Sequence, residues 1–72
     1  MTEPPALSVS VNGEAVSVVA GTTLDALVAT LTGAPSGVAA ALNETVVPRG
    51  QWSAAALTDG DRVEVLTAVQ GG

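Results

Sequence analysis

The sequence predicts an α+β fold in which one main helix packs across a mixed sheet. Short stretches near both ends of the chain alternate apolar and polar residues, which is the pattern of half-buried strands. Between them lies one apolar stripe with helical spacing, suited to cover a single face of a sheet. With 72 residues the chain can build one small core, so we expect a single domain.

The first two strands are predicted as a β-hairpin. Residues 7–11 and 14–19 each alternate apolar and polar side chains, and the dipeptide Asn12-Gly13 stands between them. Asn-Gly is the strongest short hairpin signal because both residues accept a positive φ. Residues 1–6, with two prolines and no periodicity, are expected to form a disordered leader.

The main helix is predicted to begin after Thr22 or Thr23, since either residue can cap its first turn. Four apolar residues at positions i, i+3, i+4 and i+7 form the stripe that we expect to face the core: Leu24, Leu27, Val28 and Leu31. Gly33 and Pro35 are expected to end the helix.

The second half of the chain predicts two more strands and a helical turn. Residues 38–43 are apolar almost throughout and favour a third strand, although their alanines leave helix as an alternative. Residues 45–47 predict a brief fourth strand that Pro48 ends. Residues 51–57 fit a short helical turn, in which Trp52 would pack on the core with its indole N–H bonded to a polar group. A contact of Trp52 with a partner stays open as the alternative.

The last strand is predicted over residues 62–69, after the turn-forming residues 58–61. The element order is then β-β-α-β-β-(helical turn)-β, with good strands at both ends. The economical arrangement places strands one and five side by side at the centre of the sheet. This is the β-grasp, or ubiquitin-like, architecture. We expect it to span residues 7–69, with a flexible tail over residues 70–72.

Alternation along the last strand predicts which of its side chains face outward. If Val63 and Val65 contact the helix, Leu66 and Ala68 lie on the other face of the sheet. Scattered apolar residues are normal on a surface, but a pair so close to the tail also fits a docking patch. Leu66 and Ala68 are therefore the candidate partner-docking residues.

The tail Gln70-Gly71-Gly72 is the candidate reactive element. Glycine has no Cβ, so such a tail is thin and can thread a narrow channel. Three extended residues reach about 10 Å, which is enough to enter the active site of a partner. A frayed terminus or an expression scar is the alternative interpretation.

Composition limits the kinds of function. Two basic and seven acidic residues give a net charge of -5, which repels nucleic acid and favours a partner with a basic docking surface. The chain has no cysteine and no histidine, so it lacks a thiolate metal site and the commonest general base. No apolar run approaches the ~18 residues of a membrane span, and no signal peptide is visible, which predicts a cytoplasmic protein away from membranes.

One segment carries a family resemblance. Residues 43–52 read Asn-Glu-Thr-Val-Val-Pro-Arg-Gly-Gln-Trp, which resembles the N-x-x-x-V-P-R-x-x-W segment of the ThiS family, the sulfur carriers of thiamine biosynthesis. Asp59-Gly60-Asp61 before the last strand and the final Gly71-Gly72 are similar to that family too. The resemblance spans residues 7–72 and implies the same β-grasp fold.

The resemblance also implies a chemistry. An adenylating enzyme of the ThiF type would use ATP and magnesium to activate the Gly72 carboxylate. A sulfur donor such as a cysteine desulfurase would then displace AMP and leave a thiocarboxylate on Gly72. Thiazole synthase of the ThiG type would take up that sulfur. The carrier itself would be no enzyme, with no catalytic residue, metal or cofactor of its own, and Gln70 and Gly71 would thread the partner's active site.

Three other functions stay open on sequence alone. Molybdopterin synthase small subunits (the MoaD type) share the Gly-Gly end but usually carry prolines shortly before it, where this chain has Leu-Thr-Ala-Val-Gln. A ubiquitin-like protein modifier and a plain β-grasp binding module are the others. Of the two cations, Arg62 is expected to pair with Asp59 or Asp61, and Arg49 is assigned to a solvated loop in preference to a contact with the activating enzyme.

Overall fold

The computed structural model describes residues 5–31 and 37–67. The described part contains five strands, one α-helix and one 3₁₀ helix. In chain order these are β1 (Ala6–Val11), β2 (Glu14–Val19), α1 (Leu24–Leu31), β3 (Val38–Leu42), β4 (Thr45–Val47), the 3₁₀ helix (Arg49–Ala54) and β5 (Arg62–Thr67). The predicted helix stop at Gly33 and Pro35 lies outside the described residues, as do Ala68 and the tail.

The five strands form one mixed sheet in the order β2-β1-β5-β3-β4. β1 and β5 are parallel neighbours, in a register that places Val11 opposite Val63. The other pairs are antiparallel, and β5 runs along β3 from Leu42↔Val63 to Val38↔Thr67. Because the two ends of the described chain meet at the sheet centre and one helix accompanies the sheet, the predicted β-grasp fold is confirmed.

The opening hairpin follows from the Asn12-Gly13 turn. Both residues have a positive φ, 52° and 86°, as the hairpin signal requires. β1 begins at Ala6, one residue before the predicted boundary of the leader, because Ala6 pairs with Val19 at the far end of the hairpin. The carbonyl of Pro5 also accepts a hydrogen bond from the backbone N–H of Ala20 (2.9 Å).

The helix α1 packs three of its four stripe residues into the core. Leu24, Leu27 and Val28 are buried, and the Thr23 hydroxyl caps the helix by accepting a hydrogen bond from the Ala26 N–H (3.2 Å). The prediction that Leu31 also faces the core is wrong, since 49% of it is exposed. Leu31 is the last residue of α1 and lies at the rim of the core, where it lines a surface hollow instead of filling it.

Trp52 is the largest fully buried side chain. Its indole N–H donates to the backbone carbonyl of Val47 (2.8 Å), which confirms the predicted core position and polar partner. The helical turn around it is a 3₁₀ helix that begins two residues earlier than predicted, and the Gln51 N–H donates to the Pro48 carbonyl there. Just after this helix, the Ala55 carbonyl accepts a hydrogen bond from the N–H of Leu24, which ties the segment to the start of α1 (2.8 Å).

Candidate functional site

β5 alternates its side chains between the core and the outer face, which is the face of the sheet opposite α1. Val63 and Val65 are buried, whereas Glu64 and Leu66 are exposed. The predicted outward position of Leu66 is thus confirmed, with 71% of the residue accessible to solvent. Ala68, the other predicted docking residue, lies outside the described residues.

Leu66 belongs to a wider apolar patch on the outer face. The register of β5, β3 and β4 places Ala39 opposite Leu66 and Ala41 opposite Val46. Val46 is 71% exposed, like Leu66, and the two alanines form the low floor between these two larger residues. We call Leu66, Val46, Ala39 and Ala41 the outer-face patch. It lines a shallow groove of about 290 Å³ that is open to solvent.

Sequence reasoning found only one member of this patch. Nothing local marks Val46 as exposed, because residues 45–47 are too short for a clear alternation. The pairing of Val46 with Ala41 decides which face it lies on, and this pairing depends on the register between β3 and β4.

Carboxylates border the groove. Glu44 and Glu64 both line it, and both are exposed. Glu44 forms an ion pair with Arg62, whose Nη2 lies 3.2 Å from the Glu44 Oε2. This pair is solvated, since 61% and 72% of the two side chains are exposed, so it contributes little to stability. The border of the patch therefore presents negative charge to a partner, most clearly at Glu64.

The predicted pairing of Arg62 with Asp59 or Asp61 is wrong. The Arg62 side chain lies on the outer face, next to the turn between β3 and β4, where Glu44 is the near carboxylate. Asp59 instead accepts a hydrogen bond on Oδ1 from the backbone N–H of Ser8 (2.7 Å). Asp61 points away from solvent and is satisfied inside the fold.

Asp61 is the one buried charged residue in the described part of the chain. Burial by itself would raise the pKa of its carboxyl. Hydrogen bonds from Asn43 Nδ2 (3.0 Å), from the Thr58 N–H (2.8 Å) and from the Thr58 hydroxyl (2.9 Å) outweigh this effect and hold the pKa below its ordinary value of 3.8. Asp61 therefore stays ionised and fixes the turn that leads into β5.

Asn43, the first residue of the family-like segment, joins that network to β5. It has a positive φ of 50°, a conformation that asparagine tolerates better than most residues. Its Oδ1 accepts a hydrogen bond from the Arg62 N–H (2.9 Å), while its Nδ2 donates to Asp61. The asparagine in this segment thus has a structural role, which is to hold the beginning of β5.

The candidate reactive residues Gln70, Gly71 and Gly72 lie outside the described residues. The structure does place the strand that leads to them, since β5 is paired with β3 up to Thr67. Five residues follow Thr67 in the sequence, so Gly72 is at most about 17 Å from it along an extended chain. The strand that contributes Leu66 to the outer-face patch therefore directly precedes, in sequence, the segment that contains the predicted reactive end.

Arg49 is exposed at the start of the 3₁₀ helix, and its part in partner contacts stays a prediction. Across residues 5–31 and 37–67, no group of three or more potential ligands is placed to hold a metal ion. The helices of the same residues include none with the length and apolar character needed to cross a bilayer.

Comparison with known proteins points to one family. A family model described as the ThiS family matches residues 8–72. The chain is 34% identical over 61 residues to the sulfur carrier protein ThiS of Escherichia coli K12. This match covers 85% of this chain and 92% of that protein. It is 39% identical over 66 residues to a thiazole synthase of Magnetococcus marinus; the match covers 92% of this chain but only 20% of that longer protein.

Solved structures agree. The crystal structure of the thiamine biosynthesis protein ThiS from Geobacter metallireducens superposes with a TM-score of 0.77 at 29% identity, covering 92% of this chain and all of the other. A solution structure of a thiamine biosynthesis protein from the same organism gives the same TM-score at 30% identity, covering 92% of this chain and 88% of the other. These matches point to the same family as the resemblance of residues 43–52. The chain therefore belongs to the ThiS family of sulfur carrier proteins in thiamine biosynthesis.

Proposed function

We propose that this chain carries sulfur as a thiocarboxylate on Gly72 and presents it to larger enzymes through the outer-face patch. The observation that carries the proposal is the position of β5. This strand holds the exposed Leu66 in the patch, and the chain continues from it to Gly72 within six residues. A partner that covers the patch thereby brings the tail within reach of its own active site.

The chemistry requires activation before sulfur can enter. A carboxylate is a poor electrophile, so an oxygen of the Gly72 carboxylate first attacks the α-phosphorus of ATP and pyrophosphate leaves. A sulfur nucleophile then attacks the carbonyl carbon of the acyl adenylate. AMP leaves with the transferred oxygen, and the carbonyl carbon keeps the sulfur. The adenylate must be formed in a site that excludes water, since water would otherwise hydrolyse it.

The partners supply the catalysis in this proposal. ATP and magnesium belong to an adenylating enzyme of the ThiF type, and this chain binds neither. Its own buried carboxylate, Asp61, is engaged by Thr58 and Asn43 and is therefore unsuited to proton transfer. We accordingly assign the chain no catalytic residue, and Gln70 and Gly71 are the residues that thread the partner's channel.

The sulfur is donated by a cysteine desulfurase or a similar persulfide enzyme, whose terminal sulfur displaces AMP and forms an acyl disulfide with the Gly72 carbonyl carbon. A thiol reductant then cleaves the S–S bond and returns the donor cysteine to its thiol form. The thiocarboxylate that remains on Gly72 is received by thiazole synthase of the ThiG type. Nearly this whole chain is similar to a fifth of a longer protein named thiazole synthase, which supports that receiver. When a carrier-like segment and a synthase belong to one chain, each is present at a high local concentration for the other. We place these steps in the cytoplasm, where ATP and the enzymes for small-molecule synthesis are found.

The test is intact-protein mass spectrometry after incubation with the activating enzyme, ATP, magnesium and a sulfide source. The expected result is the mass change of one oxygen-to-sulfur exchange, located on the peptide that contains Gly72. A variant with a short tag after Gly72 should not react, whereas the same tag placed before Met1 should have no effect. No mass change with an activating enzyme that forms pyrophosphate would refute the proposal, and so would full reaction of the protein with an uncleaved tag after Gly72.

A further inference from the structure

The hairpin turn leaves part of β5 without a backbone neighbour on one side. β1 and β5 pair in parallel at Ser10↔Arg62 and Val11↔Val63, and the chain then reverses at Asn12. On its other side β5 remains paired with β3 as far as Thr67. Without a substitute for β1, the end of the strand that leads to the tail would be held from one side only.

The side chain of Asn12 provides that substitute. Its Oδ1 accepts a hydrogen bond from the Val65 N–H (2.8 Å), and its Nδ2 donates to the Val65 carbonyl (3.2 Å). The backbone N–H of Asn12 already donates to the Val63 carbonyl (2.9 Å), as the next step of the parallel ladder. A carboxamide offers one acceptor and one donor group, as a peptide unit does, so it continues the ladder where the backbone of β1 has turned away.

We infer that Asn12 is a positioning residue for the reaction at the tail, because it fixes the end of β5 relative to the outer-face patch. Val65 is buried in the core and directly precedes Leu66, so the two hydrogen bonds of Asn12 act on the core residue next to the docking residue. When the patch is bound to a partner, a fixed Val65 gives the tail one direction of exit. This inference rests on the proposed function, since it concerns how the same tail reaches the activating site.

Asn43 offers an internal comparison for this role. It has nearly the same φ, 50° against 52° for Asn12, and its side chain also makes two hydrogen bonds, one of them with a backbone N–H of β5. That N–H belongs to Arg62, at the beginning of the strand. Both asparagines therefore stabilise β5 by similar means, but only Asn12 acts next to the patch and on the side of the tail.

The experiment compares Asn12→Gly with Asn43→Gly. Glycine adopts a positive φ without strain, so each substitution removes the carboxamide and keeps the turn. Pyrophosphate release by the activating enzyme is measured at varied concentrations of the carrier, together with the Tm of each variant. Both variants should lose a similar amount of thermal stability. Asn12→Gly should lower kcat roughly tenfold or more, because misplacing a reacting group reduces the productive fraction of the complex. The KM for the carrier should stay within about twofold, since the patch that binds the enzyme is intact.

Two results would overturn the inference: an unchanged kcat for Asn12→Gly, or an equal fall of kcat in both variants, which would mean that stability alone is responsible. Failure of the unmodified protein to react at all would instead refute the proposed function. If Asn12→Gly does not fold, Asn12→Asp replaces it, because aspartate keeps an acceptor for the Val65 N–H and loses the donor to the Val65 carbonyl. A reduced kcat of folded Asn12→Asp supports the inference and an unchanged one overturns it.

Discussion

Replacing Leu66 by glutamate tests whether the outer-face patch is a docking surface. Leu66 is 71% exposed, so its side chain has little packing to lose inside the fold and the substitution should leave the Tm nearly unchanged. Burying a whole leucine side chain is worth about 1.5–3 kcal/mol, so burying the exposed share contributes about 1–2 kcal/mol to a complex. This free energy corresponds to a dissociation constant that is about 5- to 30-fold higher without the leucine. The carboxylate adds a desolvation cost, so we expect at least this loss of affinity.

Val19→Glu is the matched control for this measurement. Val19 is also a large exposed apolar residue, 55% accessible, but it lies on β2 at the opposite edge of the sheet from β4. The Val19→Glu substitution adds the same negative charge as Leu66→Glu to an already acidic protein, so it reports any general effect of charge on association. Binding to the activating enzyme is measured by titration calorimetry for both variants and the unmodified chain. Unaltered affinity of Leu66→Glu, or an equal loss in both variants, would show that the patch is not the docking surface.

Two further predictions concern the fold that presents the tail. Trp52→Phe removes the hydrogen bond to the Val47 carbonyl and leaves a void in the core, so the free energy of unfolding in urea should fall by about 2–3 kcal/mol. A fall of only about 0.5 kcal/mol, as is usual for substitutions at the protein surface, would contradict this prediction. The folded pKa of Asp61 lies below the unfolded value of 3.8, so its stabilisation is complete above pH 3.8 and is lost as the pH falls through the folded pKa. Thermal unfolding between neutral and strongly acidic pH should therefore show a smaller loss of stability for Asp61→Asn than for the unmodified chain, and parallel curves would contradict this assignment.

The elements that the sequence predicted well are those set by local rules. The Asn12-Gly13 turn fixes its own backbone conformation, and period-2 alternation assigns Val63, Val65 and Leu66 to their faces. The family-like segment led to the correct family because its side chains occur at fixed spacing in one stretch. Trp52, the only aromatic residue in the sequence, was correctly placed in the core for a similarly local reason, since a large apolar ring needs burial.

The features that sequence reasoning missed depend on contacts between distant residues. Asn12 and Val65 are 53 positions apart, and Asn43 and Asp61 are 18 apart, so neither pair is visible before the sheet is assembled. The same reason explains Arg62, because a turn between two other strands brings Glu44 closer than the neighbouring aspartates. The local pattern could assign these residues to strands and turns but could not say which atoms they bind.

The place of β5 in the sheet explains why this fold suits the reactive tail that we propose. Edge strands and chain ends are the parts of a protein that open with the lowest free energy, so a tail carried by β2 or β4 would leave the body at a variable point. β5 instead lies between β1 and β3, and Asn12 extends its support on the β1 side to Val65. The burial of Val63 and Val65 fixes one face of the strand in the core, which leaves Leu66 on the other face for a partner. A strand held on both edges and on its inner face can transmit a docked orientation to the residues that follow it, and this is the property that the proposed chemistry at Gly72 requires.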